Sequence, residues 1–283
     1  MRAAIVGANG QLGKALTALL PDAVALTRTE LDITDPGAVA AHDWTGLDVV
    51  INAAAYTAVD GAETPQGRAA AWRTNATGVA HLAVAANAHD LILVHVSSDY
   101  VFDGRGEEPI REDAPLCPLS AYGASKAAGD VAAAVATRHY IVRTTWVTGD
   151  GGNFVRTMVG LATRGVSPTV VADQVGRLTF AHDLAGGILT LVAGRAAYGT
   201  YNLTNAGDPA SWADVARATF ELAGASAAQV TGTTSEQYFA DKPDAARRPR
   251  NSVLALDKAR SAGVALPPWR ESLVTYVKQE VAG

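Results

Sequence analysis

The chain has 283 residues, 48% hydrophobic and 18% charged, a balance that buries a core and excludes a disordered chain. Lys and Arg number 23 against 28 Asp and Glu, a formal net charge of −5 that excludes a basic footprint for nucleic acid or anionic lipid. A lone cysteine, Cys117, excludes an intramolecular disulfide and a cysteine-built metal site.

The length suits one large domain or two intimate ones. The opening MRAAIVGANG runs straight into a strand-like segment, without the parts of a signal peptide. The longest uncharged apolar stretch, Leu184 to Gly194, is too short to span a bilayer. A cytoplasmic globular protein is expected, with no nucleic-acid and no membrane partner.

Ala3 to Val6 is the first strand-like run. Gln11 to Leu20 has helical spacing, with Leu12, Leu16, Leu19 and Leu20 on one side and Pro21 as its stop. Ala23 to Leu26 and Asp48 to Ile51 read as strands, and the alanine-rich Arg68 to Asn87 as a helix. Leu91 to Val96 is a strand, Ala121 to Ala136 a helix and Tyr140 to Arg143 a strand. Short apolar strands alternating with helices predict a doubly wound parallel α/β sheet covered on both faces. After about residue 150 the rhythm loosens at Gly149, Gly151, Gly152, Pro168, Pro209 and Pro243. Asp214 to Ala223 and Trp269 to Val281 read as helices of a smaller C-terminal lobe. Residues 1–150 are thus expected to bind a nucleotide, and 151–283 mainly a substrate, with about 178–205 returning to the first unit.

Directly after the first strand stand Gly7, Gly10 and Gly13, spaced Gly-x-x-Gly-x-x-Gly. Glycine permits a tight turn and lets backbone approach a phosphate, and the next helix aims its free N–H groups at a diphosphate. The spacing alone is a weak signal; a ligand-free turn is the alternative. After the second strand, where an acid would hold ribose hydroxyls, the chain has Thr27 and Arg28, with Glu30 and Asp32 later. An arginine in place of the acid favours NADPH, with NADH as the alternative, unless Arg28 is only a solvated charge.

Ser97-Ser98-Asp99-Tyr100 follows the strand Leu91 to Val96, at the end where a parallel strand delivers side chains to the crevice. Tyr122 and Lys126 stand four apart and share a helix face. A lysine ammonium beside a tyrosine lowers the phenol's pKa, and Ser98 would hydrogen-bond a carbonyl, which together make a general acid for hydride transfer. A second Tyr-x-x-x-Lys, Tyr238 to Lys242, runs into Pro243 and follows no serine-bearing strand, so it reads as incidental. Cys117 reads as a small packing residue.

Together these residues resemble the extended short-chain dehydrogenase/reductases, with their Rossmann-type sheet. More closely, the chain resembles the dTDP-4-dehydrorhamnose reductase family. The resemblance covers most of the chain: GANGQLG at 7–13, LDITD at 31–35, VVINAAAYTAVDGAE at 49–63, HVSSDYVFDG at 95–104 and PLSAYGASKAAGD at 118–130. It continues in VRTTWVTG at 142–149, GNFVRTM at 152–158, ADQVGRLTFAHDLA at 172–185 and ARRPRNSVL at 246–254. It implies Tyr122 as proton donor, Lys126 as its partner and Ser98, where the family usually has threonine, in the carbonyl-binding position. It further implies Gly10, Gln11 and Leu12 under the cofactor diphosphate, Asp32 and Ile33 near the adenine, and Ala53, Ala54 and Ala55 along the cofactor. Ser98, Asp99, Tyr100 and Trp146 would face the deoxysugar of a small-molecule dTDP-sugar substrate. Arg248 would either pair with the nucleotide diphosphate or belong to a solvated basic loop.

Some relatives bridge a dimer with magnesium through glutamates; here Ala15 and His182 stand instead, so no metal is carried over. The resemblance implies NADPH-dependent reduction of a C4 ketone in dTDP-rhamnose biosynthesis. The alternatives are a 4-ketoreductase for another dTDP-6-deoxysugar and a non-catalytic subunit with the same fold. A homodimer is the default for an enzyme of this size.

Overall fold

A parallel sheet covered on both faces needs strands that are apolar without alternation. In the computed structural model, which describes residues 1–282, β1 (Ala3–Val6), β2 (Val24–Leu26) and β3 (Val49–Asn52) are of this kind, and β4 (Ile92–Ser98) and β5 (His139–Thr144) have apolar middles that run into polar C-terminal ends. They are followed by the short β6 (Val147–Thr148), β7 (Thr169–Val171), β8 (Val175–Gly176) and β9 (Thr179–Phe180), then β10 (Gly199–Asn202), β11 (Ala210–Ser211) and β12 (Thr231–Thr233). The helices of the first half are α1 (Gln11–Leu19), α2 (Pro36–Ala41), α3 (Pro65–Trp72), α4 (Gly78–Ala88) and α5 (Ala121–Ala133). Those of the second are α6 (Phe154–Thr163), α7 (Ala181–Ala193), α8 (Trp212–Leu222), α9 (Ser235–Tyr238), α10 (Asp257–Ser261) and α11 (Trp269–Ala282).

The main sheet runs β2-β1-β3-β4-β5-β10, and every neighbouring pair is parallel. From β1 the chain goes outward to β2 and then crosses back to β3, so the turn after β1 lies at the topological switch point where such folds bind ligands. One face of the sheet packs Ile5 and Ile51 against Leu12 and Leu16 of α1 and Leu184, Ile188 and Leu191 of α7. The other packs Val6, Val50 and Leu93 against Val79 and Leu82 of α4. Each such side chain contributes about 1.5–3 kcal/mol of burial.

Beyond the sheet, α6, α8 and α11 meet around Val155, Val159, Val215, Trp269, Leu273 and Val277, none more than 6% exposed. This cluster stands apart from the two that sandwich the sheet. The apolar run from Leu184 is the body of α7, and β10 joins the main sheet beside β5.

Two elements differ from the periodicity reading. The helix expected over Arg68 to Asn87 starts at Pro65, capped by the Thr64 hydroxyl, and is interrupted by a π-helical turn at Arg73–Thr77. That turn inserts one residue into the helical repeat and swings Asn75 inward, where it is 1% exposed. The helix expected to reach Ala136 ends at Ala133, because Val135 and Ala136 turn over into β5.

Candidate functional site

The turn after β1 is shaped by close approach. Gly7 has φ of +80°, and a Cβ there would lie 2.6 Å from the Ala54 nitrogen. A Cβ on Gly13 would collide with the Gly7 carbonyl oxygen. Both positions therefore require glycine: the first for its backbone, the second so that α1 can lie against the turn. Gly10 caps α1 without a side-chain hydrogen bond, and the first turn holds no acid. The N–H groups and positive dipole end of α1 are thus left for an anion.

They face a cavity of about 340 Å³ lined by Gly7, Gly10, Arg28, Asp32, Ile33 and the strip Ala53–Ala55. Leu12 buries its side chain in the core, so it has only its backbone to offer a ligand. The Gln11 side chain turns away, its amide donating to the Gly152 carbonyl at 3.2 Å. At the far rim Arg28 pairs with Asp32 at 3.3 Å. The Thr34 N–H, with help from its hydroxyl and from Arg28, holds the Asp32 carboxyl below its ordinary range, so it stays ionised. Tyr56 and Thr74 also line this cavity, and sequence reasoning missed both.

At the C-terminal end of β4, Ser98 enters the turn Asp99–Val101, and its hydroxyl donates to Asp99 Oδ1 at 2.9 Å. The Ser120 hydroxyl caps α5 and the Glu63 carboxylate accepts the Ala121 N–H at 2.8 Å, which brings Tyr122 over Ser98. The rings of Tyr100 and Tyr122 meet edge to face, 5.3 Å between centroids. Burial pushes the Tyr122 phenol well above its ordinary pKa, the Asp99 charge adds to this, and a hydrogen bond with Ser98 opposes it. Burial likewise raises Asp99 to about 6, against hydrogen bonds from Ser252 and Ser98.

Lys126, 2% exposed, donates from Nζ to the Val96 carbonyl at 2.7 Å. Burial lowers its pKa to about 8, and Asp130, itself paired with Arg143 at 2.9 Å, opposes the fall. The expectation that its ammonium would lower the Tyr122 pKa is not met in this arrangement. The ammonium has gone to a backbone oxygen, and burial and Asp99 govern the phenol. Asn75 lies behind this pair, donating to Ser125 Oγ at 3.0 Å and bonding both backbone groups of Tyr56.

A larger cavity of about 1220 Å³ adjoins, lined by Arg105, Phe239, Arg247, Arg248, Arg250 and Asn251 among others. Trp146, with φ of +46°, stacks on Trp212 at 3.8 Å and closes against Gly176 and so toward Ser252. Ser98, Tyr100, Tyr122 and Trp146 are not among the residues lining the cavity. Arg248 belongs to both neighbourhoods, lining the cavity while its charge acts on Tyr100. Its guanidinium is held by both oxygens of Asp60, at 2.8 and 2.9 Å. The second Tyr-x-x-x-Lys folds on itself, with Lys242 over the Tyr238 ring at 4.0 Å. Cys117 is exposed, not packed, because its backbone N–H is tied to Val101 while the side chain faces outward.

A family model described as RmlD substrate binding domain matches residues 1–282. A dTDP-4-dehydrorhamnose reductase of Mycolicibacterium smegmatis is 42% identical over 281 residues, covering 96% of this chain and 84% of that protein. A probable dTDP-4,6-dihydroxy-2-methyloxan-3-one 4-ketoreductase of Streptomyces antibioticus is 41% identical over 282 residues, covering 96% and 93%. The crystal structure of a dTDP-4-dehydrorhamnose reductase from Bacillus anthracis in complex with NADP superposes with a TM-score of 0.89 at 34% identity, over 99% of each chain.

Proposed function

The chain belongs to the dTDP-4-dehydrorhamnose reductase family, and from that premise we propose that it reduces the C4 keto group of dTDP-4-dehydro-β-L-rhamnose with NADPH, giving dTDP-β-L-rhamnose. The observation that carries the chemistry is the buried group of Ser98, Tyr122 and Lys126 at the end of β4, with only β3 between it and the strand that leads into the glycine turn. The unspent N-terminus of α1 fits a dinucleotide diphosphate, and Arg28 at the rim fits a 2′-phosphate.

Gly7, Gly10 and the N–H groups of Gln11 to Gly13 would hold the diphosphate, Asp32 and Ile33 the adenosine, and Tyr122 with Lys126 the nicotinamide ribose. When bound, NADPH supplies the hydride that reduces the ketone. Tyr122 donates its phenolic proton to the C4 oxygen as charge develops there. The Ser98 hydroxyl rotates from Asp99 to hydrogen-bond that oxygen and hold the carbonyl in line. Tyr100 and Trp146 flank the sugar.

Residues 1–150 with 178–205 form the cofactor unit, and the remainder shapes the substrate cavity. What supports this division is the place of β10 in the main sheet and of α7 against α1. The enzyme works in the cytoplasm on small molecules, as a homodimer. Among the described residues no helix is long and apolar enough to cross a membrane.

The test is direct: purified protein with NADPH and the 4-keto sugar nucleotide should lose nicotinamide absorbance at about 340 nm. No loss of absorbance would overturn the assignment. The similarity to the Streptomyces antibioticus ketoreductase favours a second reading, reduction of another dTDP-4-keto-6-deoxysugar by the same residues. Product NMR from a panel of 4-keto sugars separates the two.

A further inference from the structure

An arginine that walls a cavity meant for an anionic substrate should keep its guanidinium free. Arg248 does not. Its Nη2 donates to both carboxylate oxygens of Asp60, at 2.8 and 2.9 Å, and its Nη1 donates to the Ala246 carbonyl at 2.7 Å. The Ala246 N–H donates to Asp60 Oδ1 at 2.9 Å, and the Phe239 ring lies 4.7 Å from the guanidinium carbon. The side chain of Arg248 is 18% exposed and that of Asp60 55%, so the arginine end is sheltered and held by its contacts to Asp60, Ala246 and Phe239 while the carboxylate end reaches solvent.

The other end of the pair sits on a loop with two further anchors. After β3 that loop lines the cofactor cavity with Ala53 to Tyr56, and Asn75 holds Tyr56 by both backbone groups. It then reaches Asp60 and the turn Gly61–Glu63, where Glu63 accepts the first N–H of α5, next to Tyr122. One loop therefore touches the cofactor cavity, the helix carrying Tyr122, and the wall of the large cavity.

We propose that Asp60 and Arg248 are positioning residues: their ion pair ties the wall segment Phe239–Asn251 to the loop behind Tyr122 and so sets where a sugar nucleotide rests relative to the phenol. This rests on the dTDP-sugar reading above. Diphosphate recognition then falls to Arg247, which lines the same cavity and forms no ion pair among the described residues, and to the exposed Arg250, whose nearest carboxylate, on Asp173, is 4.0 Å away.

Two roles for Arg248 make opposite forecasts for Asp60. If Arg248 bound the diphosphate directly, Asp60→Asn would release the guanidinium and preserve or strengthen dTDP binding. If the pair positions the wall, Asp60→Asn weakens dTDP binding as much as Arg248→Ala does, about tenfold, and the double variant weakens it no further. Calorimetric titration of dTDP into each variant, with NADPH titrated as a folding control, reads this without turnover. NADPH affinity is expected to stay within about twofold of wild type, and Asp60→Glu, which keeps the carboxylate, should restore dTDP affinity. For turnover the KM of the sugar nucleotide should rise more than kcat falls. Unchanged or tighter dTDP binding by Asp60→Asn overturns the positioning role. If Asp60→Asn fails to bind NADPH, Asp60→Ser, which also releases the guanidinium, carries the same test with the same two opposed outcomes. Wild-type protein that binds NADPH but no dTDP would instead overturn the sugar-nucleotide reading itself.

Discussion

The Nζ of Lys126 donates to the carbonyl oxygen of Val96 at 2.7 Å, one turn along α5 from Tyr122. The sharing of a helix face that makes Tyr-x-x-x-Lys recognisable does not by itself put the ammonium on the phenol. Buried between α5 and β4, the ammonium takes the nearest backbone acceptor, while Tyr122 lies among Ser98, Tyr100 and the Asp99 charge. The phenol consequently keeps its proton through the neutral range. A proton donor in a reduction needs that protonated state.

Removing the donor should therefore cost rate and little else. Tyr122→Phe keeps the ring against Tyr100 and deletes only the hydroxyl. Steady-state turnover of the sugar nucleotide should fall about 10²- to 10⁴-fold. Cofactor affinity, followed by fluorescence titration, should change far less. Turnover within a factor of about three of wild type would remove Tyr122 from the role of acid.

The buried ammonium of Lys126 makes a prediction about stability. Its pKa is about 8 in the folded chain against an ordinary 10.5, so between these values the unfolded chain binds more protons than the folded one. Stability then rises with pH across that window, by about 3 kcal/mol if the whole shift is realised. Lys126→Met has no such group. Urea unfolding at pH 7.5 and pH 10 should show the wild type gaining on the variant by an amount of that order. Parallel pH profiles for the two proteins would contradict the burial account.

How much of this was legible beforehand follows from the range of each interaction. The unbroken apolar runs of β1, β3 and β4, the glycine turn, and Tyr122 with Lys126 on one helix face are local patterns, and the structure places them as read. Asp60 was visible only as an acid beside Gly61, because its partner Arg248 lies 188 positions away. Asn75 was hidden because a π-helical turn adds a residue that no 3.6-residue period anticipates. The apolar run at Leu184 was seen, but whether such a run becomes helix or strand is decided by what packs on it, here α1. The Trp146 ring was expected at the sugar; its stacking on Trp212 comes from a segment with no local link to it.

Cofactor choice is predicted to rest on Arg28. Its side chain is 80% exposed at the rim of the smaller cavity and is held toward it by Asp32. A charge-assisted bond to a 2′-phosphate contributes about 1.5–3 kcal/mol, or roughly ten- to a hundredfold in affinity. Arg28→Ala should raise the KM for NADPH by at least about tenfold. The KM for NADH, which has no 2′-phosphate, should move by less than about twofold. Equal losses for the two cofactors would mean that Arg28 supports the fold of the rim rather than the phosphate.

Asp99 offers the opposite sign from Lys126. Its pKa is about 6 in the folded chain against an ordinary 3.8, so between these values the folded chain holds the extra proton. Stability therefore falls as pH rises from about 4 to 6, and the cost of the buried carboxylate, about 3 kcal/mol, is fully present above pH 6. Asp99→Asn should be more stable relative to wild type at pH 7.5 than at pH 4.5. The same change removes the anion that helps to raise the Tyr122 phenol, so the alkaline limb of kcat/KM should move to lower pH. Both shifts arise from one charge. A variant that gained stability with an unmoved alkaline limb would show that the Asp99 anion does not reach the Tyr122 hydroxyl in the working enzyme.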